Sequence, residues 1–144
     1  MEVKIKKLRE DAIIPTRGSN EAAGYDLYAC CDAVITIEPQ KTEKIGTGLS
    51  IQPPKGYFGA IFARSGLATK QGLRPANCTG VCDQDYLGEY IVALHNDSDT
   101  AKMIYPKGRI AQLIFLPYQD VDFKEVEELN STERGIGGFG STGA

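Results

Sequence analysis

The sequence has 144 residues, 42% hydrophobic and 24% charged, with sixteen glycines, no tryptophan and a formal net charge of −3. A chain of this length buries about 68–70% of its unfolded surface, enough for one core, and the balance is that of a soluble globular domain. The negative charge excludes broad nucleic-acid binding, which needs a basic stripe, but leaves room for a small anion held by a few arginines.

From the start of the chain, Val3 and Ile5 alternate with Lys4 and Lys6, as in a half-exposed strand. The same charged opening does not read as a signal peptide, and no run reaches the roughly 18 apolar residues of a membrane span. A cytoplasmic location with no membrane partner is therefore expected. Residues 34–37 form a β-branched run. Residues 57–62 and 90–94 are apolar on both faces and read as buried strands, as do residues 109–116; residues 121–123 read as a short strand. Turn signals punctuate them at 17–20, 53–56, 96–99 and 106–108. The one plausible helix is 65–71, with Ser65 as a candidate cap. Many short strands at fairly regular spacing predict an all-β sandwich or jelly roll with one short helix. The periodic part ends near residue 129, and residues 130–144 read as a Gly-rich, flexible tail.

The four cysteines, Cys30, Cys31, Cys78 and Cys82, with His95, offer a conceivable zinc set. Adjacent cysteines rarely ligate one metal together, so the reading is four small, semi-buried apolar residues and no metal held directly by protein side chains.

Five segments could carry chemistry. The tail, residues 134–143, reads Arg-Gly-Ile-Gly-Gly-Phe-Gly-Ser-Thr-Gly. Its glycines allow several amides to converge on one anion, Ser141 and Thr142 add hydroxyls, and Arg134 adds a planar cationic fork. Phe139 offers a stacking face, although Gly/Ser-rich ends are commonly just mobile termini. Residues 80–88 carry Asp83 and Asp85, on one face if the segment is extended; such an Asp is either a turn former or a rigidly held base. Arg64, Ser65 and Gly66 follow a buried strand and open the helix, which suits either an anion or a simple cap. Residues 24–27, with Asp26, and 107–112, with Gln112, are weak alone.

Taken together and in order, these five segments resemble the five motifs of the trimeric dUTPase family, along nearly the whole chain. The resemblance implies a jelly-roll subunit and a homotrimer with three shared active sites, each closed by the Gly-rich tail of a neighbouring subunit. It implies hydrolysis of dUTP to dUMP and pyrophosphate, which limits uracil incorporation into DNA and supplies dUMP for dTMP synthesis. It also implies a Mg2+ cofactor held mainly by substrate phosphates and waters.

Residue by residue, the resemblance makes Asp83 the base that activates water. Tyr86 becomes the platform under the deoxyribose, and Asn77 a neighbour of the uracil. Arg64, Ser65, Gly66 and Gln112 become phosphate contacts. Arg134, Gly140, Ser141 and Thr142 hold the outer phosphates, Phe139 stacks on the base, and Asp26 supports the site indirectly. Two positions depart from the family pattern. Lys107 and Gly108 stand where Gly and an acidic residue are common, which puts the local turn in question. Cys82 replaces an aliphatic residue, which predicts looser packing behind Asp83. The nearest enzyme alternative, dCTP deamination, would need a proton-shuttling Glu; Glu21 and Glu89 are present, but not in a matching motif. A nucleotide-bound regulator is a second alternative.

Overall fold

The computed structural model describes residues 1–138. In chain order the elements are β1 (Lys4–Lys7), β2 (Thr16–Arg17), β3 (Tyr25–Tyr28), β4 (Ile35–Ile37), β5 (Thr42–Gly46) and β6 (Leu49–Gln52). They continue with β7 (Tyr57–Phe62), α1 (Ser65–Gln71), β8 (Leu73–Pro75), β9 (Gly80–Cys82), β10 (Ile91–Asn96), β11 (Lys102–Ile104) and β12 (Arg109–Pro117). Every strand pairing is antiparallel. The largest sheet runs β2-β3-β12-β7-β9, the next β5-β10-β8, and two-stranded ribbons join β1 to β6 and β4 to β11. This is a jelly-roll-type β subunit with one short helix, as the strand pattern predicts.

The longest apolar runs form the middle of the largest sheet. β12 pairs with β3 on one side and β7 on the other, and Ala111 and Leu113 face inward, essentially without exposure. Leu27, Ile45, Leu49, Ile51, Val92 and Leu94 close the core from the remaining strands. Truncating one of these to alanine removes about 2–5 kcal/mol of stability. Gly59 lies mid-β7, where a Cβ would come within 3.0 Å of the Tyr90 hydroxyl and 3.2 Å of Leu113. A side chain there would push β7 off its neighbours.

Several expectations need correction. Residues 121–123 form no strand; Val121 and Phe123 are 58% and 96% exposed, because nothing among the described residues covers them. The helix has the expected span, but Arg64 is its N-cap, without a side-chain cap bond, and Ser65 is already helical. Asp83 and Asp85 do not share an extended face: the Tyr86 amide donates to the Asp83 carbonyl (3.2 Å), so the segment turns. The packing behind Asp83 is filled rather than loose, since the fully buried Tyr90 lies beside Cys82.

The questioned turn before β12 also has its geometry. Lys107 adopts φ +63°, in the left-handed region that costs an ordinary residue about 1–2 kcal/mol. Gly108 follows it, and a Cβ there would lie 2.9 Å from the Tyr105 carbonyl oxygen, the atom that accepts the Gly108 amide. The turn is locked onto the end of β3, with Lys107 N–H donating to Ala29 O and Ala29 N–H to Gly108 O, both 2.8 Å. Lys107→Gly is therefore expected to raise stability by about 1 kcal/mol, seen as a higher denaturant midpoint at unchanged slope.

Candidate active site

Two groups of polar side chains form at the two ends of β7. The first lies where β7 runs out into Arg64. Gln112 pairs in register with Asp26 on β3 and with Phe62 on β7. Its amide Nε2 donates to the Ala63 carbonyl (2.8 Å), which fixes the crossover from strand to helix. Gly24 makes room for this amide, since a Cβ there would approach its Oε1 to 2.5 Å. Asp26 is half-buried and accepts from two guanidinium groups, Arg64 Nε at 2.9 Å and Arg109 Nη1 at 3.3 Å. Two cations share one carboxylate, so the group retains a net positive charge and suits an anion. Ser65 and Gly66 stand exposed beside it on the first turn of α1.

The second group lies around the turn that carries the chain from β8 in one sheet to β9 in the other, and the loop that follows. That turn takes its bend from Cys78, at φ +60°, flanked by a Thr79 N–H to Asn77 O bond of 2.6 Å. Asn77, Asp83, Tyr86 and Tyr90 line one cavity of about 240 Å³. Asp83 also borders a second, polar hollow with Gln84, Asp85 and Gln52. Tyr86 is held by its hydroxyl, which donates to the Glu89 carbonyl (2.9 Å). The loop closes so tightly around the ring that a Cβ on Gly88 would meet that hydroxyl at 2.5 Å.

The structure thus gathers Asp26, Arg64, Ser65, Gly66 and Gln112 where β7 meets α1, and Asn77, Asp83 and Tyr86 around the cavity along β9, with Asn77 beside Gly80 and Asp83 beyond Cys82. It does not join the two groups within one chain. Cys82 pairs with Gly59 near the beginning of β7, and Gly80 pairs with Ile61 near its end. Asp83 therefore continues away from Arg64. Arg134 is exposed in the tail and donates from Nε to the Gly137 carbonyl (2.9 Å). Phe139, Gly140, Ser141 and Thr142 lie outside the described residues.

Sequence reasoning missed a clamp behind the second group. The β5–β6 turn contains Thr47, buried, and Gly48, at φ +67°. The Gly48 amide donates to Glu89 Oε1 (2.7 Å), and the Glu89 carboxylate also packs against Gly46. The Thr47 amide and hydroxyl both donate to the Tyr90 carbonyl (3.2 and 2.7 Å), while the Tyr90 amide donates to Leu49 O (2.8 Å). Glu89 is thereby tied through one carboxylate oxygen to the β5–β6 turn while lining the same cavity as Asp83 and Tyr86. Arg109 was missed as well; its place beside Gln112 in the fourth segment was the available signal.

Burial has electrostatic consequences next to Asp83. The Tyr90 hydroxyl is buried without a hydrogen-bond partner, and burial pushes its pKa well above the ordinary value; the Cys82 thiol beside it adds to the effect. Burial likewise raises the Cys82 thiol from 9.0 to about 11. Both groups hold their protons in the folded protein at a pH where the unfolded chain releases them. Their contribution is complete below pH 9 and declines as pH rises toward 11. Thermal melts between pH 8 and 11 are expected to show a falling midpoint, with a shallower fall for Cys82→Val.

Among the described residues, no group of three or more His, Cys, Asp or Glu side chains is arranged to hold a metal ion. No helix among them is long and apolar enough to cross a membrane.

Comparison with known proteins places this geometry. The dUTPase family model matches residues 10–143. A deoxyuridine 5'-triphosphate nucleotidohydrolase from Nautilia profundicola is 47% identical over 143 residues, covering 99% of each chain. One from a Hydrogenobaculum species is 44% identical at the same coverage. Among solved structures, the dUTPase of Staphylococcus bacteriophage 80alpha, with dUPNHPP, superposes with a TM-score of 0.89 at 30% identity, covering 99% of both chains. The match spans every segment from which the two polar groups are built, and the chain belongs to the dUTPase family.

Proposed function

We propose that this chain hydrolyses dUTP to dUMP and pyrophosphate in active sites shared between the subunits of a homotrimer. The observation that carries the reading is the split site. An ionisable Asp with a platform Tyr stands at one end of β7, and an arginine-rich, Gln-fixed anion seat stands at the other. Neither suffices alone for triphosphate hydrolysis, and a neighbouring copy supplies what each lacks. The exposure of Phe123 (96%) and Leu129 (88%) on the segment leaving β12 supports association, because apolar side chains so fully wetted favour a partner surface.

In this reading residues 1–129 form the jelly-roll unit and residues 130–144 a lid. A triphosphate carries about four negative charges, which repel an incoming nucleophile. Arg64, Ser65, Gly66 and Gln112 receive the phosphates, with Asp26 holding Arg64 in place. Tyr86 lies under the deoxyribose, where a 2′-hydroxyl would collide, and Asn77 meets the uracil edge. Asp83 accepts a proton from water as the water attacks the α-phosphorus, and pyrophosphate departs. Arg134, Ser141 and Thr142 close over the outer phosphates, and Phe139 stacks on the base. Removing dUTP in this way limits uracil in DNA and provides dUMP for dTMP synthesis.

In this reading a Mg2+ ion is held mainly by the substrate phosphates and waters. When bound, such an ion offsets phosphate charge. A variant dUTPase from phage phi11 of S. aureus, similar in fold to this chain, is described as coordinating a structural Mg(II) ion. Deamination of dCTP is the second reading, since Glu89 lines the cavity, although one of its oxygens accepts the Gly48 amide.

The direct test is product analysis after incubating the protein with dUTP and Mg2+: dUMP and pyrophosphate are expected, and intact dUTP would refute the reading. Asp83→Asn is expected to lower kcat by about 10²–10⁴-fold while nucleotide binding is largely kept. Deleting the chain after Glu133 is expected to cut kcat/KM strongly without dissociating the oligomer, measured by kinetics alongside light scattering.

A further inference from the structure

We infer that Tyr90 is a positioning residue that sets dUTP-over-UTP discrimination, by backing the ring of Tyr86 from inside the core. The inference rests on the hydrolase reading above. It starts from a side chain that the proposed reaction does not use. Tyr90 is the largest of the fully buried residues, and its hydroxyl is the one buried side-chain polar atom among the described residues with no hydrogen-bond partner. A tyrosine whose hydroxyl has only the weakly bonding Cys82 thiol beside it is held in place chiefly by its ring and its backbone.

The backbone is held from two sides. Thr47 donates twice to the Tyr90 carbonyl, and Leu49 accepts from its amide. The ring is held by its surroundings. Gly59 leaves space for the hydroxyl end, and Cys82, smaller than an aliphatic residue, lies beside it. Thus Cys82 makes room for Tyr90.

The ring in turn faces Tyr86. The two centroids are 6.3 Å apart and the planes are inclined by 30°, within the range of aromatic contact. Tyr86 itself is 43% exposed and lines the cavity with Asn77 and Asp83. Its own hydroxyl is tied to the Glu89 carbonyl, one residue before Tyr90, so both ends of the Tyr86 ring depend on this pair. A platform that excludes a 2′-hydroxyl by collision works only if it cannot retreat. Tyr90, buried and fixed, is the ring packed against it at the wall of that cavity.

The test measures kcat/KM for dUTP and for UTP in the full-length protein and in two variants, each checked by thermal melting. Tyr90→Met keeps bulk but removes the flat ring. It is expected to lower the dUTP/UTP ratio by roughly tenfold, mainly through a better KM for UTP. Tyr90→Phe keeps the ring and loses only the orphan hydroxyl, so it should hold the ratio and melt no lower than the parent. A purely structural role would lower the melting temperature without moving the ratio. A folded Tyr90→Met with the parental ratio overturns the inference, as does a Tyr90→Phe that loses the ratio as fully as Tyr90→Met. Inertness of the parent protein toward dUTP would instead overturn the hydrolase reading and this inference with it.

Discussion

Strand β7 carries both halves of the candidate site and holds them apart. Its pairing with β9 fixes Asp83 beyond one end, and its run-out into α1 fixes Arg64 beyond the other. Six residues of extended backbone span about 20 Å, more than the reach of any side chain. The register cannot slip to shorten this distance, because a one-residue shift would turn Ile61 outward and bring a side chain onto the Gly59 contact with Tyr90 and Leu113. A single chain thus holds Asp83 and Arg64 too far apart to act on one substrate atom, which is the strand geometry behind the proposal of shared sites.

Each half-site is supported by residues that do no chemistry. At the Arg64 end, Asp26 neutralises only one of two guanidinium groups and orients Arg64, while Gln112 ties β12 to the strand–helix crossover. At the Asp83 end, the β5–β6 turn binds Glu89 and Tyr90 through backbone amides and the Thr47 hydroxyl. Holding a reacting geometry to a fraction of an ångström requires such support, since an exposed Asp on a loop is otherwise free to wander. The support also explains why burying an unpaired tyrosine hydroxyl is tolerated: its cost of about 1–3 kcal/mol is set against the ring contacts it accompanies.

The parts legible in the sequence are those written locally. The helix at 65–71, the long strands at 57–62 and 109–116, and the five motif strings each depend on neighbours in the chain. The parts that were not legible depend on distant partners. Tyr90 meets Thr47, Gly59 and Cys82 across separate strands, and a buried aromatic in an apolar run reads simply as core. The turn signal at 106–108 was legible, but not that Lys107 rather than a glycine takes the positive φ there. Residues 121–123 have a strand-like composition but no partner strand within one chain, and a strand without a partner does not form. The helix cap was not legible: Arg64 occupies it without a side-chain bond, and Gln112 holds the preceding Ala63 carbonyl from a distant strand.

The central claim is that Asp83 of one subunit works with Arg64 of another. Co-assembling Asp83→Asn and Arg64→Ala subunits, each inactive by itself, measures this directly. If the halves come from different chains, random mixing rebuilds intact sites, and dUTP turnover should recover to about a quarter of the parent value. A mixed oligomer as inert as either variant alone would contradict the account.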